Sequence, residues 1–377
     1  MTNMENKRVV VKVGTSSLTY PNGRLQLGQI QRLVREMADL GNAGHEVILV
    51  SSGAIGAGMS RLGLTKRPKR IAEKQAIAAI GQGLLMQVYS KLFTEYSHVC
   101  AQVLLTADDL QQRGRYLNCR NTLGTLLKQG VIPIVNENDS VAVEEIKFGD
   151  NDRLSAMVAN LVSADMLIIL SDIDGVYDKD PHKVADAQLI PIISEITRET
   201  QDLAGGVGTS LGTGGMATKF EAAKIAQCSG IPLVIANGAK PNALSQIVSG
   251  EPIGTLFLPR DVAWPSRKRW LAFYTHPHGQ ITIDSGAVLA LKTGKSLLPA
   301  GIIHCQGQFH AGDLVQIVTE TGKEIARGLT NYSAQEILVI RGQDSKSAEH
   351  MLLTHPSDEV VHRDNLVMMS MIEKGRD

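Results

Sequence analysis

Residues 9–17 read Val9-Val10-Val11-Lys12-Val13-Gly14-Thr15-Ser16-Ser17, and residues 46–53 read Glu46-Val47-Ile48-Leu49-Val50-Ser51-Ser52-Gly53. Between them, 27–40 carries apolar residues at helical spacing, and Gly41 follows as a stop signal. Strand, helix, strand, with both strands almost continuously apolar, is the pattern of a parallel sheet covered on both faces. The alternation continues outward. Strands are expected at 8–13, 46–51, 99–105, 131–135, 166–171 and 231–236, and helices at 27–40, 72–95, 117–128, 152–161 and 218–228. The expected fold class is α/β, a three-layer α/β/α sandwich with a mainly parallel central sheet. Ligands of such sheets gather beyond the carboxyl ends of the strands, so the loops there matter most.

Near residue 259 the texture changes. Residues 259–270 hold two Pro, both Trp of the chain and a net charge of +3, and read as a connector. Beyond it, short alternating runs at 280–284, 314–319 and 336–340 with Gly turns and little helix suggest a small β-rich domain. The expected boundaries are 1–258 for the main domain, 259–276 for the linker, 277–355 for the small domain and 356–377 for a tail.

Lys plus Arg equals Asp plus Glu at 38 each, so no global field draws the 377-residue chain to nucleic acid or anionic lipid. Uncharged stretches such as 75–90 are shorter than a membrane span, and Lys12 cuts the first apolar run, which argues against a signal peptide. Cys100, Cys119, Cys228 and Cys305 lie far apart without a C-x-x-C pair, and read as buried thiols of a cytoplasmic protein. No membrane association and no metal-ligating cluster is expected.

Five segments could carry chemistry. Lys12, inside an apolar strand, is costly unless an anion meets its ammonium, and Gly14 with the hydroxyl residues after it leaves N–H groups open to phosphate. An edge-strand lysine reaching water is the alternative. Ser51-Ser52-Gly53-Ala54-Ile55-Gly56 runs from a strand into small residues, suited to an anion such as a carboxylate or simply to tight packing. Asn136-Glu137-Asn138-Asp139 and Phe148-Gly149-Asp150-Asn151-Asp152 are two polar clusters near sheet or helix ends; the two readings of Asn151 and Asp152 are a cap on the next helix and a place in a shared cleft. Ser171-Asp172-Ile173-Asp174-Gly175 enters a turn rich in acceptors. Six Gly in the eleven residues 205–215, then Met216-Ala217-Thr218-Lys219 at a helix start, make a loop able to wrap phosphates and deliver a lysine. Two lookalikes fail: Thr293-Gly294-Lys295-Ser296 has Leu289 where a P-loop needs its first Gly, and Gly212-Thr213-Gly214 lacks the preceding strand of a dinucleotide fingerprint.

In this order the five segments resemble the amino-acid kinase family. The Phe-Gly-Asp-Asn-Asp block and the Gly-Thr-Gly-Gly-Met loop carry the likeness most specifically, and Ala217 departs from it where many members have Ser. Residues 278–355 are similar to a PUA domain, with Asp284-Ser285-Gly286-Ala287 and Arg327-Gly328-Leu329-Thr330 among the matching stretches.

The resemblance implies ATP-dependent phosphorylation of the side-chain carboxylate of L-glutamate, the first step of proline synthesis, with Mg²⁺ on the nucleotide. By the family's motifs Lys12 and Lys219 flank the transferred group and Asp152 positions both. Ser52, Asp139 and Asn151 would bind glutamate. Lys12, Ser171, Asp172, Thr213, Gly214, Gly215, Met216, Ala217, Thr218 and Lys219 would hold ATP. It also implies feedback inhibition by proline, a homo-oligomer and functional coupling to a glutamyl-phosphate reductase. The rivals are other acceptors within the family and an RNA-binding role through the PUA-like segment. Against RNA, residues 276–377 carry nine Lys and Arg against twelve Asp and Glu.

Overall fold

The computed structural model describes residues 6–20, 23–142, 151–181, 183–184, 186–197, 200, 215–260, 264, 266–273, 277–352 and 357–369. The chain divides into two compact units, Met1–Ala263 and Trp264–Asp377.

In the first unit the described elements run β1 (Arg8–Val13), α1 (Thr15–Leu18), α2 (Leu27–Asn42), β2 (Glu46–Val50), α3 (Ala54–Arg61), α4 (Ile71–Glu95), β3 (Cys100–Leu105), α5 (Ala107–Gln111), α6 (Arg113–Lys128) and β4 (Ile132–Glu137). They continue with α7 (Asn151–Leu161), β5 (Met166–Ser171), β6 (Ile192–Ile193), α8 (Met216–Cys228), β7 (Leu233–Asn237), α9 (Ala243–Ser249) and β8 (Thr255–Phe257). Among the described residues eight strands form one sheet in the order β3-β4-β2-β1-β5-β7-β8-β6. Every pairing is parallel except β7 with β8. The expected sandwich is present.

The first strand is an inner one, with Lys12 in register with Val50 on one side and Ile169 on the other. The edge-strand reading of Lys12 is therefore excluded. Strand residues alternate between faces. Val9, Val11 and Val13 join the core cluster with Ile30, Val34 and Met37 of α2. Val10 and Lys12 face the other layer, where α7 packs on β1 and α8 packs on α7. Behind the β2 end, α3 crosses α4 at a contact that only glycine permits. A Cβ on Gly81 would sit 1.7 Å from the Ala54 carbonyl oxygen, and one on Gly58 would sit 2.0 Å from that of Ile77.

In the second unit the elements are α10 (Ser266–Phe273), β9 (Gly279–Ile283), α11 (Ser285–Lys292), β10 (Ile302–Gly307), β11 (Leu314–Thr319), β12 (Glu324–Leu329), α12 (Ala334–Ile340), α13 (Ser345–Met351) and β13 (Leu366–Met368). Its five described strands form a separate sheet, β10-β9-β11-β12-β13, over a core that includes Ile281, Val315, Ile317, Tyr332 and Ile337.

Here the structure departs from the sequence reading in several places. Residues 336–340 are helix, not strand. Ser333 and Glu336 form a capping box, the Glu336 N–H donating to Ser333 Oγ at 3.3 Å and the Ser333 N–H to Glu336 Oε2 at 2.7 Å. Ile337 and Ile340, three apart, are buried, while Leu338 and Val339 between them are exposed. The segment expected as a linker contains α10. The segment expected as a tail supplies β13, antiparallel to β12, and fully buried Val360 and Val361. Thr293-Gly294 is the turn that ends α11, with Gly294 at φ +79. Of the four free thiols only Cys228 and Cys305 are buried; Cys100 and Cys119 are half-buried. Burial pushes the thiols of Cys100, Cys119 and Cys305 above their usual range.

Candidate active site

Three elements deliver charge to one point. β1 brings Lys12 through the sheet, the first turn of α7 brings Asp152, and the first turn of α8 brings Lys219. Asp152 is wholly buried; its Oδ1 lies 2.5 Å from Lys12 Nζ and its Oδ2 lies 3.2 Å from Lys219 Nζ. The two lysine side chains are only 3% and 7% exposed. The Thr218 hydroxyl lies 2.9 Å from the same Asp152 Oδ2 and 2.8 Å from the Gly215 carbonyl, so its single proton is shared between these two acceptors. Asp152 also has the favourable place for a carboxylate, at a helix N-terminus. Two cations on one carboxylate give the trio itself a surplus of one positive charge. Burying such a surplus is expensive, so the arrangement suits an anionic ligand.

A second cluster lies at the ends of β2 and β4. Asn151 Nδ2 lies 2.6 Å from the Ser51 carbonyl, 2.9 Å from Ser52 Oγ and 2.9 Å from Asn136 Oδ1, its two protons shared among the three acceptors. Asn136 Nδ2 in turn donates to Gln82 Oε1 of α4 at 2.8 Å. Ser51 Oγ meets the Tyr89 hydroxyl, also of α4, at 2.9 Å. Gly53 takes a left-handed φ of +91, which turns the chain from β2 into α3 without displacing Ser51 and Ser52. Asp139 is half-buried in the turn after β4.

A third cluster closes the ends of β5 and β7. Ser171 Oγ donates to Asp172 Oδ1 at 3.1 Å, and the Gly238 N–H donates to the Ser171 carbonyl at 2.9 Å. Asp174 accepts from Asn237 Nδ2 at 3.0 Å and pairs with Lys240 at 3.2 Å. Burial would raise the Asp174 carboxyl, but the hydrogen bonds from Asn237, Lys240 and Tyr177 and the Lys240 charge outweigh it and hold it below the usual range.

The structure thus brings Lys12, Asp152, Lys219 and Thr218 into direct contact, and Asn151 with Ser52. Gly215 precedes α8, and Met216, Ala217, Thr218 and Lys219 form its first turn, so the helix starts two residues before the expected 218. Thr213 and Gly214 lie outside the described residues, as do 143–150 and 201–212. Sequence reasoning held Ser51 and Asn136 within candidate segments without giving them a role, and passed over Gln82 and Tyr89 altogether. The available signal was the seven-residue spacing of Gln75, Gln82 and Tyr89 beside buried Ala78, Leu85 and Phe93.

Residues 7–237 match the amino acid kinase family, and residues 279–352 match the PUA domain. A glutamate 5-kinase of Caldanaerobacter subterraneus subsp. tengcongensis is 55% identical over 368 residues, which cover 97% of this chain and 99% of the relative. A glutamate 5-kinase of a Thermoanaerobacter species is 54% identical over the same shares. Among solved structures, the UMP kinase from Bacillus anthracis gives a TM-score of 0.48 at 16% identity, covering 68% of this chain and 97% of that one. With more than half of its length matched and near-full-length relatives at this identity, the chain belongs to the amino acid kinase family and carries a PUA domain behind its kinase unit.

Proposed function

We propose that the protein transfers the terminal phosphoryl group of ATP to the side-chain carboxylate of L-glutamate, giving L-glutamyl 5-phosphate and ADP at the entry to proline synthesis. Near-full-length relatives named glutamate 5-kinase support the substrate. The single observation that carries the chemistry is Asp152 bridging two buried lysines.

A carboxylate with a reference pKa of about 4.3 is ionised at neutral pH, so the nucleophile needs no general base. The barrier lies in bringing an anion onto a triphosphate and in charge shifting as the phosphoryl group moves. One carboxylate oxygen of glutamate attacks the γ-phosphorus, and the bond from that phosphorus to the β,γ-bridging oxygen breaks, its electron pair leaving with ADP. Lys12 and Lys219, held ready by Asp152, offset the charge on the transferred group without reorganising. Thr218 fixes the Asp152 carboxylate, and so the spacing of both ammonium groups.

Ser52, Asn151 and Asp139 bind glutamate in this reading, with Asp139 taking the α-ammonium. Ser171, Asp172 and residues 213–219 hold ATP. Among the described residues no three His, Cys, Asp or Glu converge as a cation cage. In this reading Mg²⁺ would come bound to the phosphates and shield their charge, with water and phosphate oxygens as its main ligands. Inhibition by proline, a homo-oligomer, coupling to a reductase of the acyl phosphate and a cytoplasmic location belong to the same reading. No described helix is long and apolar enough to cross a membrane.

ATP turnover with glutamate, N-acetylglutamate and aspartate in turn, with the acyl phosphate trapped as hydroxamate, tests it. Glutamate alone should give strong hydroxamate; preference for either of the others would overturn the assignment.

A further inference from the structure

Helix α4 places Gln75, Gln82 and Tyr89 seven residues apart, which is two helical turns, so the three lie along one face. Each reaches a different loop at the carboxyl edge of the sheet. Gln75 Nε2 donates to the Ala142 carbonyl in the turn that contains Asp139, at 3.3 Å. Gln82 Oε1 accepts from Asn136 at the end of β4, and the Tyr89 hydroxyl meets Ser51 just beyond β2. Beside them on that face Ala78, Leu85 and Phe93 are buried. Three polar groups in such a helix are costly unless each has a fixed partner, and each has one.

The bonds run head to tail and converge on one side chain. Asn151 donates to Asn136, Asn136 donates to Gln82, and the Asn151 amide also donates to the Ser51 carbonyl beside the Tyr89 contact. Reversing Asn151 would set its Oδ1 against the Ser51 carbonyl and Asn136 Oδ1, acceptor against acceptor, and reversing Asn136 would set its Nδ2 against Asn151 Nδ2, so the chain fixes which end of Asn151 points inward. Asn151 Oδ1 makes no hydrogen bond with a described residue, and Asn151 is half-buried. The Gly58–Gly81 crossing sets the height of α4 against α3, which begins directly after Ser52 and Gly53. Burial raises the Tyr89 hydroxyl far above its usual range, so it stays protonated.

We propose that α4 positions the acceptor end of the site from behind: Gln82, through Asn136, and Tyr89, through Ser51, hold the Asn151 amide with Nδ2 inward and Oδ1 presented to the substrate. Glutamate at neutral pH has one hydrogen-bond donor group, its α-ammonium, and an outward Oδ1 is a partner for it. This inference rests on the proposed function; Gln82 and Tyr89 are positioning residues that touch neither substrate.

Gln82→Met removes the acceptor and Tyr89→Phe the hydroxyl, each with little change of volume. In the full-length protein each should raise the glutamate KM by about tenfold, while the ATP KM and kcat stay within about twofold. A purely structural role would instead lower Tm and move kcat and both KM values together, or move nothing. Either pattern overturns the inference. Should Tyr89→Phe prove unstable, the half-buried Gln82→Met decides alone. A wild-type protein without glutamate-dependent turnover would remove the proposed function itself, a result distinct from active variants whose glutamate KM is unchanged.

Discussion

Asp152 has no exposed surface and serves two ammonium groups, so its charge cannot be removed without leaving both lysines inside the protein with a neutral neighbour. Asp152→Asn keeps the shape and should cost about 3 kcal/mol or more, read as a fall in Tm of about 6–12 °C. Lys12→Ala and Lys219→Ala should lower kcat by roughly 10²–10³, with smaller changes in KM, measured by steady-state ADP release. Near-wild-type turnover in either would remove the mechanism. His45 gives a pH signature away from the site. It is buried and accepts the Lys7 N–H at Nδ1, 3.1 Å away, and burial followed by the Lys7 charge holds its pKa below 6.5. The unfolded chain therefore binds the proton first, so this contribution is complete above pH 6.5 and is lost as pH falls through the depressed folded value. Between pH 7 and 5, Tm should fall less in His45→Asn, which keeps an acceptor, than in the wild type. In the sequence, Lys12 and Lys219 stood out because charge inside an apolar strand or after a Gly-rich loop is conspicuous, whereas Asp152 read equally as a helix cap and its place between the lysines came from the family resemblance. Gln82 and Tyr89 did not stand out, because an uncharged polar residue in a helix of mixed apolar and polar residues looks the same whether or not it has a partner across the fold.

At the scale of elements, the inner strands could be read because both faces are covered and almost every residue is apolar. Residues 336–340 misled for the same reason. Five residues of Glu-Ile-Leu-Val-Ile are too short to reveal a period, and their β-branched content favours a strand, while the decisive Ser333–Glu336 box lies upstream. Ser333→Ala should cost about 1 kcal/mol, seen in chemical denaturation of the C-terminal unit. The α3–α4 crossing is less forgiving. Gly81→Ala puts a methyl 1.7 Å from the Ala54 carbonyl oxygen, so the helices must separate. The expected result is a loss of several kcal/mol, or failure to fold, measured by urea denaturation. An unchanged midpoint would mean that α4 is not pinned there.

For the whole molecule, the two sheets have separate cores, one built around β1 and α2 and the other around Ile281, Ile317 and Tyr332. A chain ending at residue 263 should therefore keep a cooperative thermal transition in circular dichroism; a broad, non-cooperative melt would show that its core is incomplete. Inside the first unit, the strand translated earliest ends up innermost, flanked by β2 on one edge and by β5 on the other. A ribosome must deliver some 170 residues before that second edge is covered, and about fifty more before Lys219 emerges to join the residues contributed at positions 12 and 152. Nascent intermediates thus carry an open, strongly apolar ribbon for much of elongation, which makes birth of the polypeptide, more than its finished state, the stage most exposed to aggregation.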